Sequence, residues 1–344
     1  MPAVPSSSSE SVRRAALLAS IYDLGRPPSY LSAAIETAAR ATTENLRIVL
    51  FSRLFDTPAE PEPLSRVQSA GKQPAERFDD VQRLLTSVYV QATKVAQDMG
   101  RVLMDIDVLL QGTQEPHSAE LVQDAERVYH VTSDSSATLA PASVLDRSDI
   151  VHLRADIVSH GPSHSHTPPA RTEQTRRFPV AALGGTFDHL HAGHKILLSM
   201  GAWIASEKLI VGITDDALLT KKAFKEVLET IDVRIARVRA FLELFKPSLQ
   251  YDLVPISDVY GPTGWDDNIQ ALIVSKETLP GAHSIHERRK EKSLTALETF
   301  VIDVISATES SVDDKDAEVL KNTKMSSTFI RQWVIEQRSK QGGS

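Results

Sequence analysis

Residues 178–198, FPVAALGGTFDHLHAGHKILL, decide the fold of this chain. The apolar run at 178–183 has the length of a strand and stops at two glycines. Apolar residues with helical spacing begin again after His191-Ala-Gly-His194. We therefore predict a strand, a glycine-rich turn and a helix in direct succession.

The predicted turn has the composition of a phosphate-binding site. A helix N-terminus leaves backbone N–H groups unpaired and carries a partial positive charge. Gly184 and Gly185 would let a phosphate approach the backbone closely. His191 and His194 stand at the mouth of the same turn. The stretch therefore indicates a site for the phosphates of a nucleotide.

The composition narrows the class of protein. The formal net charge of −7 disfavours a general nucleic-acid binder. The chain has no cysteine, which rules out disulfides and thiolate metal sites, and we predict no metal site built from protein ligands. Because neither a signal peptide nor a long apolar run occurs, we expect a cytoplasmic protein, with the nucleus as an additional location, that does not bind membranes.

The chain is predicted to have two α/β halves. Four segments are expected: a disordered tail (1–9), an N-terminal α/β domain of unknown role (10–156), a flexible linker (157–177) and the domain that carries the turn (178–344). In the first half, helices are predicted over 11–22, 29–42 and 78–98, and strands over 46–51, 102–110 and 127–131.

The second half alternates strand and helix regularly. Strands are predicted over 178–183, 208–214, 250–256, 269–275 and 300–307, and helices over 192–205, 232–245 and 282–296. A short helical piece carrying Lys221, Lys222 and Lys225, an acidic loop at 308–322, and a last helix capped by Ser326 or Ser327 complete it. We predict a Rossmann-like, doubly wound parallel sheet of five strands, with the ligand outside the carboxyl ends of the strands.

Two motifs resemble those of a known superfamily. GGTFD at 184–188 with H-x-G-H at 191–194 is similar to the signature of the H-x-G-H nucleotidyltransferases, and KMSST at 324–328 with Arg331 resembles their second motif. Between them, KPSL (246–249), YGPTG (260–264) and VSKET (274–278) resemble the phosphopantetheine adenylyltransferase half of eukaryotic coenzyme A synthases, here in the form of a monofunctional fungal-type enzyme.

This resemblance implies transfer of AMP from ATP to 4′-phosphopantetheine, with Mg²⁺ accompanying ATP. His194, Thr186 and Lys222 are the implied catalytic residues, with Lys221 as the alternative to Lys222. The implied ATP ligands are Gly184, Gly185, Thr186, Phe187, His191, His194, Lys324, Ser326, Ser327, Thr328 and Arg331. The implied phosphopantetheine ligands are Asp188, Lys221, Lys222, Ser275, Glu277, Thr278 and Arg289.

Other functions share parts of this pattern. A cytidylyltransferase would keep the phosphate machinery but carries a different second motif, and a class I aminoacyl-tRNA synthetase would need more chain after that motif. An inactive scaffold of a coenzyme A-synthesising complex is the third alternative. The sequence contains no G-x-x-x-x-G-K-[ST], so the following kinase step is expected from another protein. Other enzymes of coenzyme A synthesis are candidate partners, and the oligomeric state is not determined.

Overall fold

The computed structural model describes residues 11–24, 28–56, 75–114, 119–132, 139–147, 149–155, 177–303 and 326–341. The predicted tail at 1–9, the acidic loop at 308–322, Lys324 and all of the predicted linker except Arg177 lie outside these residues. Two compact units make up the chain, one from residues 1–69 and 91–165 and the other from 70–90 and 166–344. The predicted domain boundaries stay a prediction.

The first unit contains a parallel five-stranded sheet. Its strands are β1 (Val12–Ser20), β2 (Thr42–Phe51), β3 (Asp105–Gln111), β4 (Arg127–Thr132) and β5 (Ile150–Arg154). Its helices are α1 (Ser29–Ala41), the part of α2 (Ala75–Asp98) that follows residue 90, and α3 (Ala142–Leu145). The strand order is β3-β2-β1-β4-β5, and every pairing is parallel.

The prediction of a helix over 11–22 was wrong, because this segment forms strand β1. The strand pairs with β2 on one side and β4 on the other, and Ala15, Leu17 and Ala19 are all at most 1% exposed. A central parallel strand is covered on both faces, and the buried part of β1, residues 15–19, is continuously apolar. Periodicity does not distinguish such a run from a buried helix. Strand β5 was not predicted, since its residues are half-buried or exposed.

The second unit has the predicted doubly wound fold. Besides the part of α2 up to residue 90, its helices and strands are β6 (Phe178–Gly185), α4 (Ala192–Ile204), β7 (Ala205–Thr214), α5 (Ile231–Phe245), β8 (Gln250–Ile256), β9 (Ala271–Ser275), α6 (Leu279–Glu291), β10 (Glu298–Ile302) and α7 (Ser327–Gln341). The parallel strands lie in the order β10-β9-β6-β7-β8. The order reverses at β6, so its carboxyl end is the expected place for a ligand.

The helical piece predicted around Lys221 and Lys222 is instead a turn, followed by a 3-10 helix over Lys225–Val227. Charged residues dominate this segment and few apolar side chains are available to anchor a helix. No helix in the described ranges is both long and apolar enough to cross a membrane.

Helix α4 is fixed closely on the sheet. A Cβ added at Gly201 would overlap Leu183 Cδ2, so the absence of a side chain there lets α4 lie close to this residue of β6. At the C-terminal end of the helix, Lys246 Nζ donates to the carbonyl oxygens of Ala202 (3.0 Å) and Ala205 (2.8 Å). These contacts fix the C-terminal part of α4 in the second unit.

Candidate active site

The turn after β6 has a strained backbone. Phe187 and His189 have φ angles of 53° and 45°, in the left-handed region that non-glycine residues rarely occupy. Asp188, between them, is completely buried. Such conformations cost about 1–3 kcal/mol each and persist only where the surrounding contacts fix them. Several elements of this unit supply such contacts.

The segment before α5 holds the turn through Glu229. The Glu229 N–H donates to Asp188 Oδ1 at 2.9 Å, and the His189 N–H donates to Glu229 Oε2 at 2.8 Å. His189 Nε2 lies 2.7 Å from the Val227 carbonyl oxygen. Since a carbonyl only accepts, Nε2 carries the proton. The turn and this segment therefore fix one another.

Arg234, in α5, also stabilises the turn, and the sequence analysis did not predict it. It is fully buried, and its Nη1 donates to the carbonyl oxygens of Thr186 (2.7 Å) and Thr214 (2.8 Å). Its Nη2 is paired with the carboxylate of Asp216. The sequence contained one indication of this role. Arg234 stands near the N-terminus of α5, where the helix dipole disfavours a cation, so an arginine there is expected to have a specific partner.

The two histidines of the H-x-G-H motif lie against each other. Their ring centroids are 3.8 Å apart in a stacked arrangement, and the Phe187 ring lies 5.2 Å from that of His194. His191 occupies the N-cap position of α4, but its side chain does not cap the helix. Within the described residues, Nδ1 of each histidine is buried without a hydrogen-bond partner. Buried polar atoms without a partner are rare in folded proteins and concentrate attention on this pair.

Both imidazoles are neutral at neutral pH without a ligand. Burial, with the neighbouring His189 and Lys195, lowers the pKa of His191 to about 3. Burial, with His191 and Lys222, lowers the pKa of His194 well below its ordinary value. Both residues are half-buried, their Nδ1 atoms are buried, and burial disfavours the charged form. Bound phosphate would oppose this effect.

The lowered pKa of His191 predicts loss of stability in acid. The unfolded chain, with an ordinary histidine pKa, binds more protons than the folded chain between pH of about 6.5 and 3. The free energy of unfolding is therefore unaffected by His191 above about pH 6.5 and decreases as the pH drops towards 3. We expect the Tm of the wild type to decrease more than the Tm of His191→Asn when the pH is lowered from 7.5 to 5. The difference should be about a few degrees, as for other small changes in stability. Parallel Tm curves would contradict this.

The second motif contacts the first directly. Ser326 Oγ accepts from the Phe329 N–H at 3.2 Å, which confirms the predicted serine cap of α7. Ser327 Oγ donates to the Asp188 carbonyl oxygen at 2.8 Å, across 139 residues of sequence. Arg331 is paired with the Asp188 carboxylate. The N-terminal ends of α4 and α7 are therefore both connected to the turn that follows β6.

The two candidate lysines differ in their effect on the histidines. Lys221 and Lys222 are both exposed. The charge of Lys222 contributes to the lowered pKa of His194, after burial and His191, whereas Lys221 does not contribute. This favours Lys222 over Lys221 as the lysine of the site.

Three of the predicted phosphopantetheine ligands in the region of β9 and α6 make contacts within the protein. Ser275, at the end of β9, and Thr278 cap the short 3-10 helix Lys276–Thr278, with their hydroxyl oxygens 3.2 Å apart. Glu277, within it, is exposed. Arg289 is 1% exposed and donates to the carbonyl oxygens of residues 295, 263 and 266 at 2.7, 2.7 and 2.9 Å. Contact of these four side chains with substrate stays a prediction.

The glycines that end β6 have different surroundings. A Cβ at Gly185 would lie 3.0 Å from Phe187 Cζ, and this ring is fully buried, whereas a Cβ at Gly184 would meet nothing closer than 3.7 Å. We expect Gly185→Ala to reduce the free energy of unfolding by about 1–2 kcal/mol, as overpacking does. Gly184→Ala, the matched control, should stay within about 0.5 kcal/mol of wild type. Urea denaturation measures both, and equal effects would contradict the assignment.

Comparison with known proteins agrees with this geometry. A model of cytidylyltransferase-like domains matches residues 182–333, the class of protein that this fold and the paired motifs define. The phosphopantetheine adenylyltransferase of Pyrobaculum aerophilum is 34% identical over 166 residues, which are 48% of this chain and 97% of that protein. That of Methanopyrus kandleri is 37% identical over 126 residues, covering 37% of this chain and 79% of that protein. The chain therefore belongs to the family of phosphopantetheine adenylyltransferases.

A eukaryotic relative shows a higher identity over a similar region. The phosphopantetheine adenylyltransferase of Saccharomyces cerevisiae is 45% identical over 153 residues, which are 44% of this chain and 49% of that protein. The match thus spans about half the length of this relative.

Proposed function

We propose that this protein transfers AMP from ATP to 4′-phosphopantetheine and produces dephospho-CoA and pyrophosphate. The observation that carries the proposal is the junction of the two motifs, where Ser327 Oγ donates to the Asp188 carbonyl oxygen at 2.8 Å. Two helix N-termini and the H-x-G-H histidines are thereby gathered at one turn. Membership of the adenylyltransferase family supports the choice of substrates.

The chemistry asks mainly for positioning. The acceptor is already a phosphate anion, so no strong general base is needed. The enzyme has to align acceptor and α-phosphate and stabilise the charge of the transition state. We assign His194 and the Thr186 hydroxyl as donors to the α-phosphate, and Lys222 as the cation between the phosphates of the two substrates. The pKa shift of His194 supports a place for Lys222 beside it.

The β- and γ-phosphates are assigned to the second motif. His191 and the start of α7, with Ser326, Ser327 and Thr328, would bind them, because unpaired N–H groups and the helix dipole favour anions there. A neutral His191 can still donate one N–H, and a bound phosphate raises its pKa by offsetting the charge of Lys195.

Magnesium is treated as part of the ATP substrate. In the described residues no group of three or more His, Asp or Glu side chains is placed to hold a metal ion. Mg²⁺ commonly keeps several waters and binds through substrate phosphates, which requires no such group.

An exchange assay tests the function. Purified full-length chain is incubated with ATP, labelled pyrophosphate and dephospho-CoA, and the return of label into ATP is measured. We expect label to enter ATP only when dephospho-CoA is present, and no label to enter CTP when CTP replaces ATP. Exchange that depends on CTP and a CDP-alcohol would indicate a cytidylyltransferase, and no exchange with any pair would leave the scaffold alternative.

The forward reaction provides the second readout. Pyrophosphate release from ATP should require 4′-phosphopantetheine and should not occur with phosphocholine, which carries the same phosphate on another alcohol. Release that is equal with both acceptors would contradict the proposed substrate.

A further inference from the structure

The surroundings of Arg331 differ from those of a nucleotide ligand. Its side chain is 2% exposed, and each of its three nitrogen atoms has a protein partner. Nη1 is paired with the Asp188 carboxylate, Nε donates to the Ala223 carbonyl oxygen at 2.9 Å, and Nη2 donates to Thr328 Oγ1 at 3.2 Å. These contacts use three of the five N–H groups of the guanidinium, and its burial leaves the other two little access to a triphosphate.

Its main partner is the centre of the strained turn. Asp188 is fully buried, and its other carboxylate oxygen accepts the Glu229 N–H at 2.9 Å. The residues on both sides of Asp188 have positive φ angles. A buried carboxylate needs a paired cation, and a strained turn needs fixed partners. Arg331 satisfies both requirements.

The other contacts of Arg331 reach the remaining parts of the site. Ala223 follows Lys222 directly in the chain, and Thr328 lies in the first turn of α7. One side chain therefore links the H-x-G-H turn, the lysine segment and the second motif. Loss of this link would displace all three with respect to one another.

We propose that Arg331 is a positioning residue that holds the first motif, the Lys222 segment and the start of α7 in register through Asp188, and that it does not bind the triphosphate. The inference rests on the proposed function. It replaces the implied ATP contact of Arg331 and the implied substrate contact of Asp188 with a structural pairing of the two.

A double-mutant cycle tests the proposal. Asp188→Asn, Arg331→Met and the double variant are compared in kcat, in KM for ATP and in inhibition by pyrophosphate. We expect each single variant to lower kcat by roughly 10²-fold, the cost of a displacement of about 1 Å. The kcat of the double variant should lie within about threefold of the kcat of the less active single variant, since both substitutions remove the same pair. KM for ATP and pyrophosphate inhibition should change by less than about threefold.

A ligand role for Arg331 predicts a different pattern. Arg331→Met would then raise KM for ATP and weaken pyrophosphate inhibition by about tenfold or more, while Asp188→Asn would not, and the two effects on kcat would multiply. That outcome would overturn the proposal. Arg147→Lys is the control for general loss of arginine contacts, because Arg147 pairs with Asp149 and donates to the carbonyl oxygens of Val122 and Ala125 in the first unit. It should leave kcat within about twofold.

The wild-type protein gives a test that does not depend on folding of the variants or on turnover. Phenylglyoxal modifies accessible arginines, and peptide mass analysis identifies them. We expect Arg331 to remain unmodified with and without ATP while the enzyme is folded. Modification of Arg331 in the free protein that ATP prevents would overturn the proposal, even if the exchange assay had shown another activity.

Discussion

His194→Ala is expected to lower kcat by roughly 10²–10³-fold, the cost of losing one donor at the transition state. The change in KM for ATP should be smaller, because the assigned contact strengthens as charge develops on the α-phosphate. The ring is held for this role between Phe187 and His191, with its Nδ1 buried and without a partner in the described part of the chain.

His286→Ala is the matched control for this prediction. His286 is also partly buried, and its Nε2 lies 2.8 Å from Thr299 Oγ1, between α6 and β10. Removing it should cost some stability and leave kcat within about twofold. If His194→Ala also stayed within about twofold of wild type in pyrophosphate release, its assigned role would be wrong.

Lys222→Ala is expected to lower kcat by about 10²-fold, since the cation would be lost from between two phosphate groups. Lys221→Ala, which removes the same charge one residue away, should stay within about threefold. Because Lys222 lowers the pKa of His194, its removal should raise that pKa. This rise should not occur in Lys221→Ala.

Steady-state kinetics across the acidic range, on both variants and the wild type, measures this. A larger loss in Lys221→Ala than in Lys222→Ala would show that the assignment of the two lysines is reversed. Equal losses in both would indicate that only the total charge of the segment matters.

The local pattern of residues was enough to predict those helices and strands that depend on a single segment of the chain. The stretch at 178–198 contains a strand, a turn and a helix whose apolar periods change at the glycines, and β6 and α4 follow that pattern. Strand β8 has the predicted bounds, Gln250–Ile256. Strand β1 was mistaken for a helix because burial on both faces removes the alternation that identifies a strand.

The surroundings of some residues depend on tertiary packing and could not be predicted from the sequence pattern. Gly185 was predicted from its possible approach to phosphate, but a further reason for a glycine is the Phe187 ring, 3.0 Å from where a Cβ would stand. Arg289 and Arg234 are polar residues in helices, which sequence reasoning places on a solvated face or in a ligand site. Both are buried, and both donate to backbone carbonyls.

By itself, the sequence determined the class of fold in the second unit and the two motifs of the nucleotidyltransferase site, because both depend on short, local patterns of residues. Only the tertiary structure decided that Asp188 and Arg331 form a buried pair, 143 residues apart, and that Arg234 supports Thr186 from 48 residues away. These contacts leave no periodic signal in the chain, since they arise where the sheet and its helices bring distant segments together at one edge.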